Sequence, residues 1–257
     1  MNKIIFTGTA SGYPSKERAC SSFILQADGK LFQFDAGEGI SGSVQRLKIK
    51  YNEIDKVFIS HMHPDHIAGI FMELQLMYLD NRKKPLDIYM PNESLKGMEK
   101  AIDMFYLFRE KFPFDFKLIP VKPNPVYRGN EFTLFAYLNE HFRSNAQVIK
   151  KFRKPNKMQS YSYTININGK RIFYSGDIQN ENDIAGLLDD IHTAIIEGLH
   201  VDFKSLAEIC ALNKIKRLVL THLDEKSFSK PDKLFNIAQK AGLKKLVIAY
   251  DGLRLVI

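Results

Sequence analysis

The sequence predicts an α+β protein of two sheets packed face to face with helices outside. Three observations point there. Strand-like runs first pair and then alternate with helix-like runs, and this happens twice along the chain. Each half holds one sharp turn pair, Asp28-Gly29 and Asn168-Gly169. The chain has 257 residues, is 45% hydrophobic and shows no repeat, low-complexity stretch or Gly/Ser linker, so residues 1–257 are expected to form one domain.

The elements follow in order. Lys3–Thr7 is a short apolar strand, and Gly8, Gly12 and Pro14 make a loop. Ser22–Gln26 and Lys30–Phe34 pair around Asp28-Gly29. Val44–Leu47 reads as a short helix and Asp55–Ser60 (DKVFIS) as a buried strand. Ile67–Leu79 is apolar at most positions and too long for a strand, so a helix is expected. Leu86–Met90 is a strand ahead of Pro91. Leu95–Glu110 spaces apolar residues helically, with Asn92 or Ser94 as N-cap. Lys117–Pro120, Val126–Tyr127, Glu131–Tyr137, Ser160–Ile167 and Arg171–Tyr174 read as strands, the last two joined at Asn168-Gly169. His192–Glu197 is a strand and Asp202–Leu212 a helix. Arg217–Thr221 is a strand and Pro231–Ala241 a helix, before closing strands at Lys245–Ala249 and Leu253–Val256.

Composition narrows the class. Charged residues are 26%, ordinary for a globular protein. No stretch approaches the roughly 18 continuous apolar residues of a membrane helix. The opening MNKIIFTGTA lacks an apolar leader core with a cleavage site, so no signal peptide is expected. Cys20 and Cys210 stand alone and far apart, which argues against a disulfide framework and for a reducing cytoplasm. Neither lies in a Cys-x-x-Cys pair, so thiolate ligation is not expected. The formal charge of +8 favours a polyanionic or phosphorylated substrate.

The chemistry concentrates in His61-Met62-His63-Pro64-Asp65-His66, between an apolar strand and a helix. Imidazole and carboxylate are the usual ligands of zinc-like ions. His61 and His63, two apart on extended backbone, point the same way and can hold one ion. Asp65 and His66 lie in the turn before the helix and can present ligands to a second. Three of the chain's seven histidines fall in these six positions.

This run resembles the H-x-H-x-D-H signature of the metallo-β-lactamase superfamily, whose fold is an αββα four-layer sandwich. Further landmarks appear in order: Phe34-Asp35-Ala36-Gly37-Glu38-Gly39, His141, Tyr174-Ser175-Gly176-Asp177 and Leu220-Thr221-His222. Within the superfamily the chain is similar to ribonuclease Z and its phosphodiesterase relatives, through FTGTASGYP, FDAGEG, DKVFISHMHPDHIAGI and the stretch from His200 to His222. The resemblance implies that His61, His63 and His141 hold one metal and Asp65, His66 and His222 a second, with Asp177 bridging. It implies two divalent ions, zinc by donor type, with manganese, iron, nickel or cobalt able to occupy the same set. Such a pair activates a bridging water for attack on a phosphodiester. Asp65 would orient or deprotonate that water. His200, 22 positions before His222, falls on the family's proton donor to the leaving alkoxide. Asp35 is expected to support the ligands by hydrogen bonds, and Gly37 and Gly39 to serve a backbone turn. His192 matches no motif and reads as structural.

The sequence departs from ribonuclease Z in two places. Only 36 positions separate His141 from Asp177, too few for the protruding arm that grips transfer RNA. The family's His-Glu-Ala-Thr segment is replaced by Ile195-Ile196-Glu197-Gly198-Leu199-His200, in which Glu197 can take over the missing glutamate's place. These departures count against processing of transfer-RNA ends and leave the metal chemistry untouched. Residues 141–160 carry Arg143, Lys150, Lys151, Arg153, Lys154 and Lys157 with no acid. They read as a basic loop able to act as a lid on substrate phosphate, with Phe142 and Phe152 able to stack on bases.

The expected function is a cytoplasmic dinuclear metal phosphodiesterase, a nuclease-like hydrolase acting on RNA ends, cyclic nucleotides or a small phosphodiester. The alternatives are hydrolysis of a lactone, thioester or lactam, and a catalytically silent metal-binding module. A homodimer is the expected assembly.

Overall fold

The computed structural model describes residues 2–122 and 125–257. They form two compact units. Unit 1 holds the chain through Val121 together with Tyr250–Ile257, and unit 2 runs from Lys122 to Ala249. Strands and helices are numbered in chain order. Among the described residues, no helix is long and apolar enough to cross a membrane.

Unit 1 is built on a seven-stranded sheet. Its strands are β1 (Lys3–Gly8), β2 (Ser22–Ala27), β3 (Lys30–Phe34), β4 (Ile54–Phe58), β5 (Leu86–Met90), β6 (Phe116–Pro120) and, from the far end of the chain, β14 (Arg254–Val256). The order is β14-β1-β2-β3-β4-β5-β6. The first three pairings are antiparallel and the last three parallel. The β2–β3 turn takes positive φ at Asp28 (48°) and Gly29 (83°), the geometry that a two-residue hairpin requires.

Parallel neighbours need crossovers, and helices supply them. They are α1 (Ile40–Arg46), α2 (Pro64–Ile67), α3 (Gly69–Leu79) and α4 (Leu95–Met104). One sheet face packs Ile5, Ile24, Val57 and Ile88 into a core with Ile70, Leu74 and Met77 of α3. Strand alternation turns the neighbouring residues to the other face. There Phe6, Phe23, Phe34, Phe58 and Tyr89 form a ring-to-ring file, with successive centroids 4.7–5.9 Å apart.

Two helices differ from the sequence expectation. The predicted Ile67–Leu79 helix begins earlier, at Pro64, and is interrupted at Ala68. The Gly69 N–H leaves the helical ladder and donates to the Ala36 carbonyl at 2.9 Å. The predicted Leu95–Glu110 helix stops at Met104. Tyr106 adopts φ 59°, and the Leu107 N–H closes back on Ile102 O, a left-handed helix stop made without glycine. Ser94 precedes that helix but does not cap it through its side chain. Its hydroxyl donates instead to Pro91 O.

Glu73, on α3, sits in the unit 1 core at 1% exposure. Its Oε2 accepts from Gln33 Nε2 at 2.8 Å. Burial, against that one hydrogen bond, pushes its carboxyl up to about 7. The folded chain therefore holds a proton that the unfolded chain has released, and stability falls as pH rises from the ordinary glutamate value towards 7. Glu73→Gln should stabilise the protein relative to wild type by about 3 kcal/mol more at pH 8 than at pH 4.5. Urea unfolding at the two pH values measures this. Equal differences at both would show the carboxyl titrating normally.

Unit 2 repeats the plan on a second seven-stranded sheet. Its strands are β7 (Tyr127–Arg128), β8 (Thr133–Leu138), β9 (Tyr161–Ile167), β10 (Lys170–Tyr174), β11 (Thr193–Glu197), β12 (Arg217–Thr221) and β13 (Leu246–Ile248). Pairings from β7 to β10 are antiparallel, and those from β10 to β13 are parallel. Asn168 (φ 48°) and Gly169 (φ 70°) make the predicted hairpin turn. The helices are α5 (Ala146–Lys151), α6 (Phe203–Leu212), α7 (Glu225–Phe228) and α8 (Pro231–Lys240). Asp202 caps α6 by accepting from Ser205 N at 2.9 Å, and Asp224 caps α7 by accepting from Ser227 N. The apolar faces of α6 and α8 pack Leu206, Cys210, Leu234 and Ala238 against Phe173, Ala194, Ile196 and Leu218 of the sheet. β11 is buried along its whole length, as a central parallel strand should be.

Candidate metal centre

In unit 1 the histidine motif leaves the C-terminal end of β4, the end of a parallel sheet where ligands bind. His63 is extended (φ −67°, ψ 145°), as a residue before proline prefers, and Pro64 opens α2 where no N–H donor is needed. The His61 and His63 rings lie 4.9 Å apart, and those of His61 and His66 4.1 Å apart. Asp65 Oδ2 is 3.7 Å from His66 Nε2.

Asp35 organises this half. Fully buried and at φ 55°, it accepts from Ser60 N at 2.7 Å and Ser60 Oγ at 2.9 Å. Its Oδ2 is 2.8 Å from His66 Nδ1, so Nδ1 carries the proton and Nε2 is left as the ligand nitrogen. Ser60 Oγ is also 3.0 Å from His61 Nδ1. The two glycines of this segment differ in purpose. Gly39 supplies the turn, at φ 81°. Gly37 instead permits close approach, since a Cβ there would lie 2.2 Å from the Asp65 carbonyl oxygen. Gly12 has Asp65 Oδ2 only 3.2 Å from where its Cβ would be.

In unit 2, β8, β10, β11 and β12 all run one way, so His141, Asp177, His200 and His222 leave the sheet at one end. Asp177 Oδ2 is 3.3 Å from His222 Nε2 and 3.9 Å from His141 Nε2. One carboxylate oxygen thus faces two imidazoles. Asn139 Nδ2 steadies the turn by donating to the Asp177 carbonyl (3.0 Å) and to Ser162 Oγ (3.1 Å). His222 holds φ 55°, an uncommon conformation for a residue with a side chain.

His200 is at the mouth of this half, its side chain 36% exposed. Its Nδ1 is 2.8 Å from Glu197 Oε1. Glu197 is buried and anchored in turn. Its Oε2 accepts from Leu199 N and His200 N, and its Oε1 from Ile178 N. This is the place that sequence comparison left for a substitute glutamate. The His200 ring lies 5.2 Å from that of His141 and 6.3 Å, near-parallel, from that of His222. His192 lies at the opposite end of the sheet and pairs with Thr193 Oγ1 at 2.9 Å. Burial, then nearby Lys170, Lys216 and Arg217, lower its pKa.

Ser60 and Asn139 escaped sequence reading, though each stands one or two residues before a ligand-type histidine. The basic 141–160 stretch is not a plain loop. A tight turn at His141–Asn145 leads into α5, with Lys150, Lys151, Phe152, Arg153 and Lys154 exposed.

The donors fit a divalent ion: imidazole nitrogens, those of His61 and His66 with the far nitrogen engaged, and carboxylates beside them. Both cysteines are buried and unbridged. Burial pushes Cys20 up to about 11, helped by Asp65 and Glu38, and Cys210 up to about 12, so neither offers a thiolate.

Comparison with known proteins bears on the fold and the family. A metallo-β-lactamase-fold protein of Bacillus subtilis, YhfI, superposes with a TM-score of 0.80 at 20% identity, over 99% of this chain and 98% of that one. Human tRNase Z, short form, superposes at 0.76 and 19% identity, over 99% of each chain. The fold is therefore that of the metallo-β-lactamases, the α+β class read from the sequence. Ribonuclease Z of Methanococcus maripaludis (strain C7) is 28% identical over 270 residues, 86% of this chain and 87% of that protein. The family described as Anti-Pycsar protein Apyc1 matches residues 2–240, which is nearly the whole chain, and the chain belongs to that family.

Proposed function

We propose that this chain is a metal-dependent phosphodiesterase, a single hydrolase domain spanning residues 1–257 with one dinuclear centre. The reading groups His61, His63, His141 and Asp177 around one ion and Asp65, His66, Asp177 and His222 around the other. The observation that carries it is Asp177, whose Oδ2 faces both His141 and His222 and could be shared by two ions held there. Two divalent ions held there would supply a nucleophile at neutral pH and neutralise charge on the phosphoryl oxygens. Zinc suits the donors, and manganese, iron or nickel would fit the same set.

The chain's own groups do the remaining work. Asp65 orients the attacking water and accepts its proton. His200 donates a proton to the leaving alkoxide. The Glu197 contact holds the Nδ1 proton, which makes Nε2 the nitrogen that delivers. RNA ends, cyclic nucleotides and small phosphodiesters are the substrate classes in view. We place the enzyme in the cytoplasm as a homodimer.

The test is hydrolysis of bis(p-nitrophenyl) phosphate set against a lactone panel, before and after chelation and metal return. Metal-restored diester turnover without lactone turnover is expected, and the reverse would move the chain to carboxylic substrates. The proton-donor role has its own signature. His200→Ala should lower kcat about 10²–10⁴-fold on a ribose diester. It should spare bis(p-nitrophenyl) phosphate, because p-nitrophenolate leaves without a proton. An equal loss on both substrates would remove the acid role.

A further inference from the structure

A groove of about 500 Å³ opens on unit 1 at the end of the sheet away from the histidine motif. Its walls include Leu31 at the start of β3 and Glu53 just before β4. The motif follows the other end of β4, about 20 Å away at 3.3 Å per residue. The rim carries Lys3, Lys30, Lys48, Lys50, Lys84 and Arg254, and Glu53 is the one acid among the lining residues. Lys84 faces Asp55 (3.1 Å) and Glu53 (3.7 Å), and the described lining residues carry six cations against one acid.

These charges come from five chain segments that the sheet register brings to one end: Ile5 pairs with Arg254, and Lys3 with both Gln26 and Val256. Lys48 is the informative one. It sits at φ 54° just past α1, where the Ile49 N–H closes back on Val44 O. Glycine is the unstrained residue for that helix stop. The same glycine-free stop ends α4 at Tyr106 and α6 at Lys214, so the backbone fixes where Lys48 stands on the rim.

The groove's chemistry selects its ligand. None of the described lining residues is aromatic, so contact with the phosphates rather than stacking on the bases is what the groove offers. Its positive groups are spread over five chain segments, which suits a row of phosphates better than a single one. We propose that this groove is a sequence-independent binding surface for the phosphate backbone of a single-stranded nucleic acid, separate from the metal centre. Such a surface adds affinity for a chain of phosphodiesters and nothing for a mononucleotide, because one nucleotide cannot span both places.

The experiment is fluorescence anisotropy of a labelled oligouridylate of about 20 nucleotides, titrated across salt concentrations in the presence of a chelator. The chelator keeps binding apart from hydrolysis, so failure of the phosphodiesterase reading and failure of the groove are distinguishable. The variant Lys48→Gly/Lys50→Gln/Arg254→Gln should bind at least about tenfold more weakly at low salt. Its log–log salt slope should be shallower by about 2, at roughly 0.7 per cation removed. Lys48→Gly alone should melt at a higher temperature than wild type and still lose about 0.7 of slope. The single variant decides the matter if the triple variant fails to fold. Wild-type affinity and slope in either folded variant would overturn the proposal.

Discussion

Asp177→Ala should lower bis(p-nitrophenyl) phosphate turnover by about 10³-fold or more and reduce the bound metal below two ions per chain. Removing one member of a buried charged cluster costs about 3–5 kcal/mol, which in transition-state terms spans two to four decades. Among the described residues Asp177 is the one shared by both donor groups, its Oδ2 lying 3.9 Å from His141 Nε2 and 3.3 Å from His222 Nε2. The backbone turn should survive, since Asn139 grips the carbonyl of residue 177 and not its side chain. Metal content by elemental analysis, with melting temperature as the control for fold, measures the effect. A variant that keeps two ions and normal turnover would end the dinuclear reading.

The second large effect is expected at Asp35, which touches no ion in the proposed arrangement. Asp35→Ala removes the acceptor for Ser60 N, Ser60 Oγ and His66 Nδ1 in a fully buried place. Leaving such donors unsatisfied costs about 1–3 kcal/mol each before any relaxation, so marginal folding is the outcome to expect. Asp35→Asn is the sharper variant. It keeps the shape and one acceptor oxygen, but turns an amide towards His66 Nδ1 or towards Ser60. Donor then faces donor, and His66 is pressed into the tautomer that puts its proton on Nε2. Metal affinity should fall by about 10–100-fold while most of the stability remains. Full metal loading at wild-type affinity in Asp35→Asn would show that His66 needs no such anchor.

Much of this site was legible in the sequence because its signals are local or ordered along the chain. The His61–His66 run is dense enough to read alone, while Asp177 and His222 became readable through the Ser-Gly-Asp and Leu-Thr-His strand ends that carry them. The hairpins at Asp28-Gly29 and Asn168-Gly169 were plain because those dipeptides suit positive φ. What escaped depends on distant partners. Nothing in the local sequence says that the Gly69 N–H will bond Ala36 and break a helix. Nor does it say that Tyr106 will accept a left-handed conformation that stops α4 six residues early. α5 escaped for a different reason: its basic, weakly patterned sequence gives little periodicity to read. Ser60 and Asn139 are common polar residues whose work becomes visible only once Asp35 and Asp177 are in place.

The return of the chain to unit 1 has a consequence for how the protein must be made. β14 pairs with β1, and Asp251 beside it accepts from Thr9 Oγ1 and Ala19 N, both at 2.8 Å. No single scission can therefore release unit 1 whole, since a fragment ending at Val121 lacks its outermost strand. During synthesis the same geometry leaves one flank of β1 as an open row of amides and carbonyls while everything up to residue 250 is translated. An unpaired strand edge is a template for other chains, and β1 waits for its partner until almost the whole sequence has been translated.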